Sequence, residues 1–206
     1  ISSPMMKKSK KKGIPRRGFF NFCAAWAAGR AGCSASLFNA AGASDLITVG
    51  IIGTGSWGTY LMEELERQGC RIGALCDVYE IRLDWAEEKC KSRPPPKRTK
   101  FFEEVLDTKE IDAVVNATPE HWHRDIVVAS VKAGKDVYTE KPLARTIEES
   151  NEVAKEVAQS RQIVQVGHQR RSGEHWLKAR HAVISGSIGK VTWIHAFDTR
   201  AWAGKD

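Results

Sequence analysis

From Leu46 onward the chain alternates two patterns of apolar and polar residues. Short runs rich in β-branched and small residues, Thr48 to Ile52, Arg71 to Cys76, Ala113 to Ala117, Asp136 to Thr139 and Ile163 to Val166, read as buried rather than half-exposed. That is the signature of parallel strands covered on both faces. Longer helical patterns fill the gaps, at about Trp57 to Gln68, Ile81 to Lys91, Glu103 to Leu106, Trp122 to Lys132, Ile147 to Gln159 and Glu174 to Ser185. Gly69 and Gly134 fall where helix C-caps belong, and Thr146-Ile147-Glu148-Glu149 has the Thr-x-x-Glu form of a capping box. Arg93-Pro94-Pro95-Pro96-Lys97-Arg98 interrupts the pattern and reads as a solvated loop. Repeated strand-helix units of this length predict an α/β fold with a doubly wound parallel sheet.

The first strand runs into Gly53-Thr54-Gly55-Ser56-Trp57-Gly58, which opens the first helix. This is G-x-G-x-x-G in the context that gives it meaning, after an apolar strand and before a helix. Gly53 permits the tight turn, Gly55 lets the backbone approach a pyrophosphate, and Gly58 allows close packing of the helix. The helix N-terminus presents free N–H groups and positive dipole to phosphate. Asp77 closes the second strand, 19 residues past Gly58, where a carboxylate accepts hydrogen bonds from a ribose diol and repels a 2′-phosphate. The expectation is a Rossmann-type dinucleotide site that favours NAD over NADP, with Arg82 the one nearby cation that argues the other way.

Charge changes the picture only at one end. The chain has 32 Lys and Arg against 25 Asp and Glu, but eight of the bases and none of the acids lie in residues 1 to 44. The remainder is nearly neutral, which speaks against a nucleic-acid-binding body. At 42% apolar and 28% charged residues, collagen-like, mucin-like and wholly disordered chains are excluded. In the leader, Lys7 to Lys12 precede Arg16-Arg17-Gly18-Phe19-Phe20, a short Ala-rich apolar run to Gly29, and Ala41-Gly42-Ala43. This order resembles a bacterial twin-arginine signal, whose pathway carries folded proteins, with cleavage after Ala43. The run is shorter than the about 20 residues of a transmembrane helix. Export to the periplasm is the expectation; a plain basic tail on a cytoplasmic protein and a lipid-modified Cys33 are the alternatives. Cys70, Cys76 and Cys90 show no C-x-x-C spacing, so no metal framework is expected, and they read as reduced thiols, a Cys70–Cys90 disulfide being open.

Two further constellations follow later strands: Thr118-Pro119-Glu120-His121-Trp122-His123 and Glu140-Lys141-Pro142. Both fall beyond strand carboxyl ends, where doubly wound folds bind ligands. Together with the glycine motif and Val166-Gly167-His168-Gln169-Arg170-Arg171, they resemble the Gfo/Idh/MocA family of glucose-fructose oxidoreductases, inositol dehydrogenases and relatives, over about Leu46 to Phe197. The resemblance implies an NAD(P)-dependent oxidoreductase moving hydride between nicotinamide and a hydroxyl of a sugar or cyclitol. Lys141 would lie between nicotinamide and substrate, where its charged form is disfavoured and it can exchange a proton with the hydroxyl. His123 would line the nicotinamide side as a second catalytic candidate, whereas His121 reads as a helix-start residue. Thr118, Pro119, Glu140 and Arg170 join Gly53, Thr54, Gly55, Ser56, Trp57, Gly58 and Asp77 as cofactor-binding residues. Pro142 offers a cis bond that aims the lysine. His168 departs from the aromatic common there, and Arg171 reads as solvent-facing.

Three segments are expected: a leader at 1–44, a dinucleotide-binding domain at 45–171, and the start of a substrate domain at 172–206. Ser187-Ile188-Gly189-Lys190-Val191 resembles the turn that leads relatives into that second domain. Since it ends soon afterwards, the chain reads as part of a longer protein, a homo-oligomer by resemblance. An NAD-using glycoside hydrolase of the same family and a non-enzymatic nucleotide-binding module are the competing readings.

Overall fold

The structure is a computed structural model that describes residues 46–196. The basic leader, with Arg16-Arg17, Cys33 and the cleavage site after Ala43, lies outside the described residues, as do residues 197–206. Six strands form one sheet: β1 (Thr48–Ile52), β2 (Arg71–Cys76), β3 (Lys97–Thr99), β4 (Ala113–Asn116), β5 (Asp136–Glu140) and β6 (Val164–Gly167). All pairs are parallel and the spatial order is β3-β2-β1-β4-β5-β6. The chain therefore winds outward from β1 to one edge, returns beside β1, and winds to the other. The reversal between β1 and β4 opens a crevice at the strand carboxyl ends, the ligand position of a Rossmann fold.

The helices are α1 (Ser56–Arg67), α2 (Glu80–Lys89), α3 (Phe102–Leu106), α4 (His123–Lys132), α5 (Ile147–Ala158) and α6 (Glu174–Ile184). Strand side chains alternate between two cores. Val49 and Ile51 of β1 meet Leu61, Met62 and Leu65 of α1 and Leu83 and Ala86 of α2. Ile52 lies in the opposite core with Val105 of α3, Ile126, Val127 and Val131 of α4, and Val153 of α5. Both faces of β1 are thus dry, which explains its unbroken apolar run. Gly69 and Gly134 take left-handed φ values of 88° and 75° just past α1 and α4, where a Cβ would be strained.

Four details differ from the sequence reading. Lys97 and Arg98 are not loop but belong to β3, a three-residue edge strand too short and too charged to show as a buried run. Arg98 bonds Glu80, Asp84 and Glu87 at 2.6–2.7 Å, tying that edge to α2, and Lys97 pairs with Glu104 of α3 at 3.0 Å. The Thr146 hydroxyl accepts from the Glu149 N–H at 3.2 Å, but the Glu149 carboxylate takes the Arg145 N–H at 2.9 Å. The capping box is thereby stretched by one residue. β5 and β6 each end one residue later than expected, on Glu140 and Gly167, and a 3-10 turn, Glu120–Trp122, precedes α4.

Cys70, Cys76 and Cys90 are all free thiols. Burial pushes Cys70 and Cys76 up to about 12, Cys76 with help from the neighbouring Asp77, Glu103 and Glu104 charges. Among the described residues no helix is long and apolar enough to cross a membrane, and no cluster of His, Cys, Asp and Glu could hold a metal ion.

Candidate nucleotide and substrate site

Because every strand is parallel, the residues singled out by sequence share one edge of the sheet. In spatial order they are Asp77 after β2, the glycine loop after β1, Thr118 and Pro119 after β4, and Glu140 and Lys141 at the end of β5. β2 to β5 is three strand spacings, roughly 14 Å.

The glycine loop is built by close approach. Gly53 has φ 89°, and a Cβ there would lie 2.7 Å from the Ala117 carbonyl and the Thr118 nitrogen, so this glycine allows β1 and β4 to meet at the crevice floor. A Cβ on Gly58 would overlap the Gly53 carbonyl oxygen itself. Gly55 faces the opening instead: its nearest neighbour in that direction is the Arg82 guanidinium at 3.0 Å, the far end of a flexible side chain. At the start of α1 no side chain caps the helix and the first turn holds no acid. Ser56 and Trp57, at that start, are exposed. The N–H groups of the first turn and the bare Gly55 backbone form a cradle that a pyrophosphate fits.

Asp77 is half-buried and serves the loop directly. One carboxylate oxygen accepts from the Thr54 N–H at 2.8 Å and the Thr54 hydroxyl at 3.3 Å, and the other from the Tyr79 N–H at 3.0 Å. A carboxylate has about four acceptor sites, so capacity for one ribose hydroxyl remains. Thr54 is buried, and its own carbonyl receives the Thr59 hydroxyl at 2.9 Å. The acid that was read as a ribose acceptor holds the glycine loop to the end of β2.

At the other end of the crevice, Lys141 and Pro142 are exposed and joined by a cis peptide bond. Glu140 is buried, its carboxylate accepting from the Tyr138 hydroxyl at 3.0 Å and the Lys141 N–H at 3.3 Å. That pairing needs Gly167, since a Cβ there would collide with the Tyr138 hydroxyl and approach Glu140 to 2.8 Å. His123 departs from expectation. Its ring is 1% exposed, with Nδ1 2.5 Å from the Pro142 carbonyl and Nε2 2.9 Å from that of Thr118. Both nitrogens point at main-chain carbonyls, one of which receives the N–H of a neutral ring, so the ring does not face the crevice as a catalytic group would. The cause is local: the 3-10 turn delivers residue 123 to the first, inward-facing position of α4.

Sequence reasoning passed over Asn116 and Thr139. Both are fully buried; Asn116 donates to the Thr139 hydroxyl at 3.2 Å and accepts from the Thr118 hydroxyl at 2.7 Å and N–H at 3.3 Å. A polar residue closing the run Ala113-Val114-Val115 was the available signal. The side chain of Arg170 lies outside the described residues, on the short helix Gln169–Ser172; His121, His168 and Arg171 are exposed.

A doubly wound sheet with an uncapped glycine loop at its switch point defines a nucleotide-binding domain of the Rossmann class. Its family follows from residues 47–168, which match the profile described as "Oxidoreductase family, NAD-binding Rossmann fold", and the chain belongs to this Gfo/Idh/MocA family. Inositol 2-dehydrogenase 1 of Saccharopolyspora erythraea is 32% identical over 163 residues, 76% of this chain and 47% of that protein. A glycosyl hydrolase family 109 protein of Shewanella sp. is 31% identical over 112 residues, 51% of this chain and 24% of its own. The structure of scyllo-inositol dehydrogenase from Lactobacillus casei, with bound NAD(H) and scyllo-inositol, aligns with a TM-score of 0.65 at 27% identity, over 72% of this chain and 44% of that one. The chain thus spans less than half the length of these relatives.

Proposed function

We propose that this chain is the cofactor-binding part of an NAD-dependent oxidoreductase that takes hydride from a hydroxyl-bearing carbon of a cyclitol or sugar-like substrate. The observation that carries the reading is the cradle at the start of α1, uncapped, free of acid and open at Gly55, on the same sheet edge as Lys141. Gly53 to Gly58 would hold the pyrophosphate and Asp77 a ribose hydroxyl, while Thr118 and Pro119 would flank the nicotinamide half. Bound NAD supplies the hydride acceptor. Lys141 Nζ, reaching from an exposed turn, takes the proton that the substrate hydroxyl releases. Asp77 favours NAD over NADP, with Arg82 at Gly55 as the opposing influence. Export by the leader and homo-oligomeric assembly of the longer protein belong to the same reading.

The test is Lys141→Ala in the full-length protein. Hydride transfer to NAD is expected to fall by about 10²-fold or more while NAD affinity changes little. Equal turnover removes the role of Lys141. The similarity to the Shewanella family 109 protein favours a second reading, a hydrolase that oxidises and re-reduces its sugar on one bound NAD. The two separate on products: a dehydrogenase accumulates NADH, whereas a hydrolase releases an aglycone without net NADH.

A further inference from the structure

Around the base of Lys141 short polar contacts close into a circuit, in which a neutral His123 ring donates its single N–H to one of two carbonyls. Thr139 of β5 is bonded by Asn116 of β4 at 3.2 Å; Asn116 holds the Thr118 hydroxyl at 2.7 Å; the Thr118 carbonyl meets His123 Nε2 at 2.9 Å; and His123 Nδ1 meets the Pro142 carbonyl at 2.5 Å. From Pro142 the main chain returns through Lys141 and Glu140 to Thr139. The only exposed residues in this ring are Lys141 and Pro142; Asn116 and Thr139 are 0% and His123 1% exposed. Of the two carbonyls His123 faces, one is local, five residues back, but the other, to which the Nδ1–H tautomer donates, lies 19 residues on in the turn that carries Lys141. A helix-start staple needs only the first.

We propose that His123 is a positioning residue that fixes Lys141 relative to the wall of the crevice at Thr118, by clamping the turn after β5 to the turn after β4. This rests on the assignment of Lys141 to proton transfer above. Buried polar groups in a ring have few alternative partners, so the turn is held in one arrangement. A displacement of about 1 Å in a reacting group can cost on the order of 10²-fold in rate.

Two substitutions separate the two contacts, because an Asn amide nitrogen stands near the position of His Nδ1 and a Gln amide nitrogen near that of Nε2. In the full-length protein, His123→Phe and His123→Gln are expected to lower kcat by about 10-fold to 10²-fold with NAD affinity held within about twofold, and His123→Asn to recover most of the loss. In a Lys141→Ala background His123→Phe should cost little further, since the two act as one unit. Independently of turnover, the Lys141 amide, which donates to the Glu140 carboxylate at 3.3 Å, should exchange hydrogen faster in His123→Phe than in the parent protein. Rescue by Gln in place of Asn, or a His123→Phe loss that adds in full to that of Lys141→Ala, overturns the proposal. Lys141→Ala alone reports on the parent reading: unchanged turnover there sinks it together with any positioning of Lys141 for catalysis. Unchanged exchange at the Lys141 amide overturns the clamp itself, whatever the Lys141 side chain does.

Discussion

Single atoms decide the glycine loop. Gly58→Ala places a methyl on the Gly53 carbonyl oxygen, main chain that cannot move aside, and is expected to destabilise the fold by about 3 kcal/mol in denaturant unfolding. Gly55→Val meets only the tip of Arg82, so its melting temperature should stay close to the parent's while NAD binding is lost. Asp77→Ala should narrow the preference for NAD over NADP, measured as the ratio of their dissociation constants. It also releases three loop hydrogen bonds, for a stability loss of about 2 kcal/mol. The placement of the glycines and Asp77 on one side of the sheet was legible because spacing along one strand-turn-helix-strand unit fixes it. The Asn116–Thr139 bond was not, because it depends on β4 and β5 lying side by side, a relation between residues 23 apart in sequence, and the inward turn of His123 was not, because it is set by a 3-10 turn that the sequence pattern did not announce.

Elements show the same division. Long strands and helices announced themselves through burial on both faces or a helical stripe, and their ends fell within about two residues of expectation, the usual uncertainty of such boundaries. β3 escaped because its stability comes from partners outside itself: backbone bonds to β2 and the pairing of Arg98 with three acids of α2. These pairs are largely exposed, so Arg98→Ala should cost only about 1 kcal/mol, a loss that shrinks as salt is raised. The thiols at the two ends of β2 predict a pH effect of definite sign. Cys70 and Cys76 stay protonated in the folded protein to about pH 12, whereas in the unfolded chain they ionise near their ordinary value of 9.0. Above pH 9 the unfolded state therefore binds fewer protons, and stability falls as pH rises towards 12. Denaturant titrations at a series of pH values measure that slope, and at pH 8 both thiols should resist alkylation until the chain unfolds.

Taken whole, the molecule is a parallel sheet that collects chemistry from four separate stretches of chain onto one edge: Asp77, the glycine loop, the turn at Thr118 and the turn at Lys141. The parallel topology was foreseen from alternation of element types, and it is what turns a list of motifs into one crevice. The glycine-loop half is built by main chain, glycines and the Asp77 carboxylate, whereas the Lys141 half is held by buried side-chain hydrogen bonds. The two halves should consequently fail separately, the first in cofactor affinity and the second in turnover. The central claim, a dinucleotide cradle at the start of α1, is tested most directly by isothermal titration of NAD into the parent chain and into Gly55→Val, each shown to be folded by circular dichroism. Saturable NAD binding to the parent and its loss in the variant are the predicted result. A folded parent that takes up no NAD, or a variant that binds it as tightly as the parent, would contradict the account.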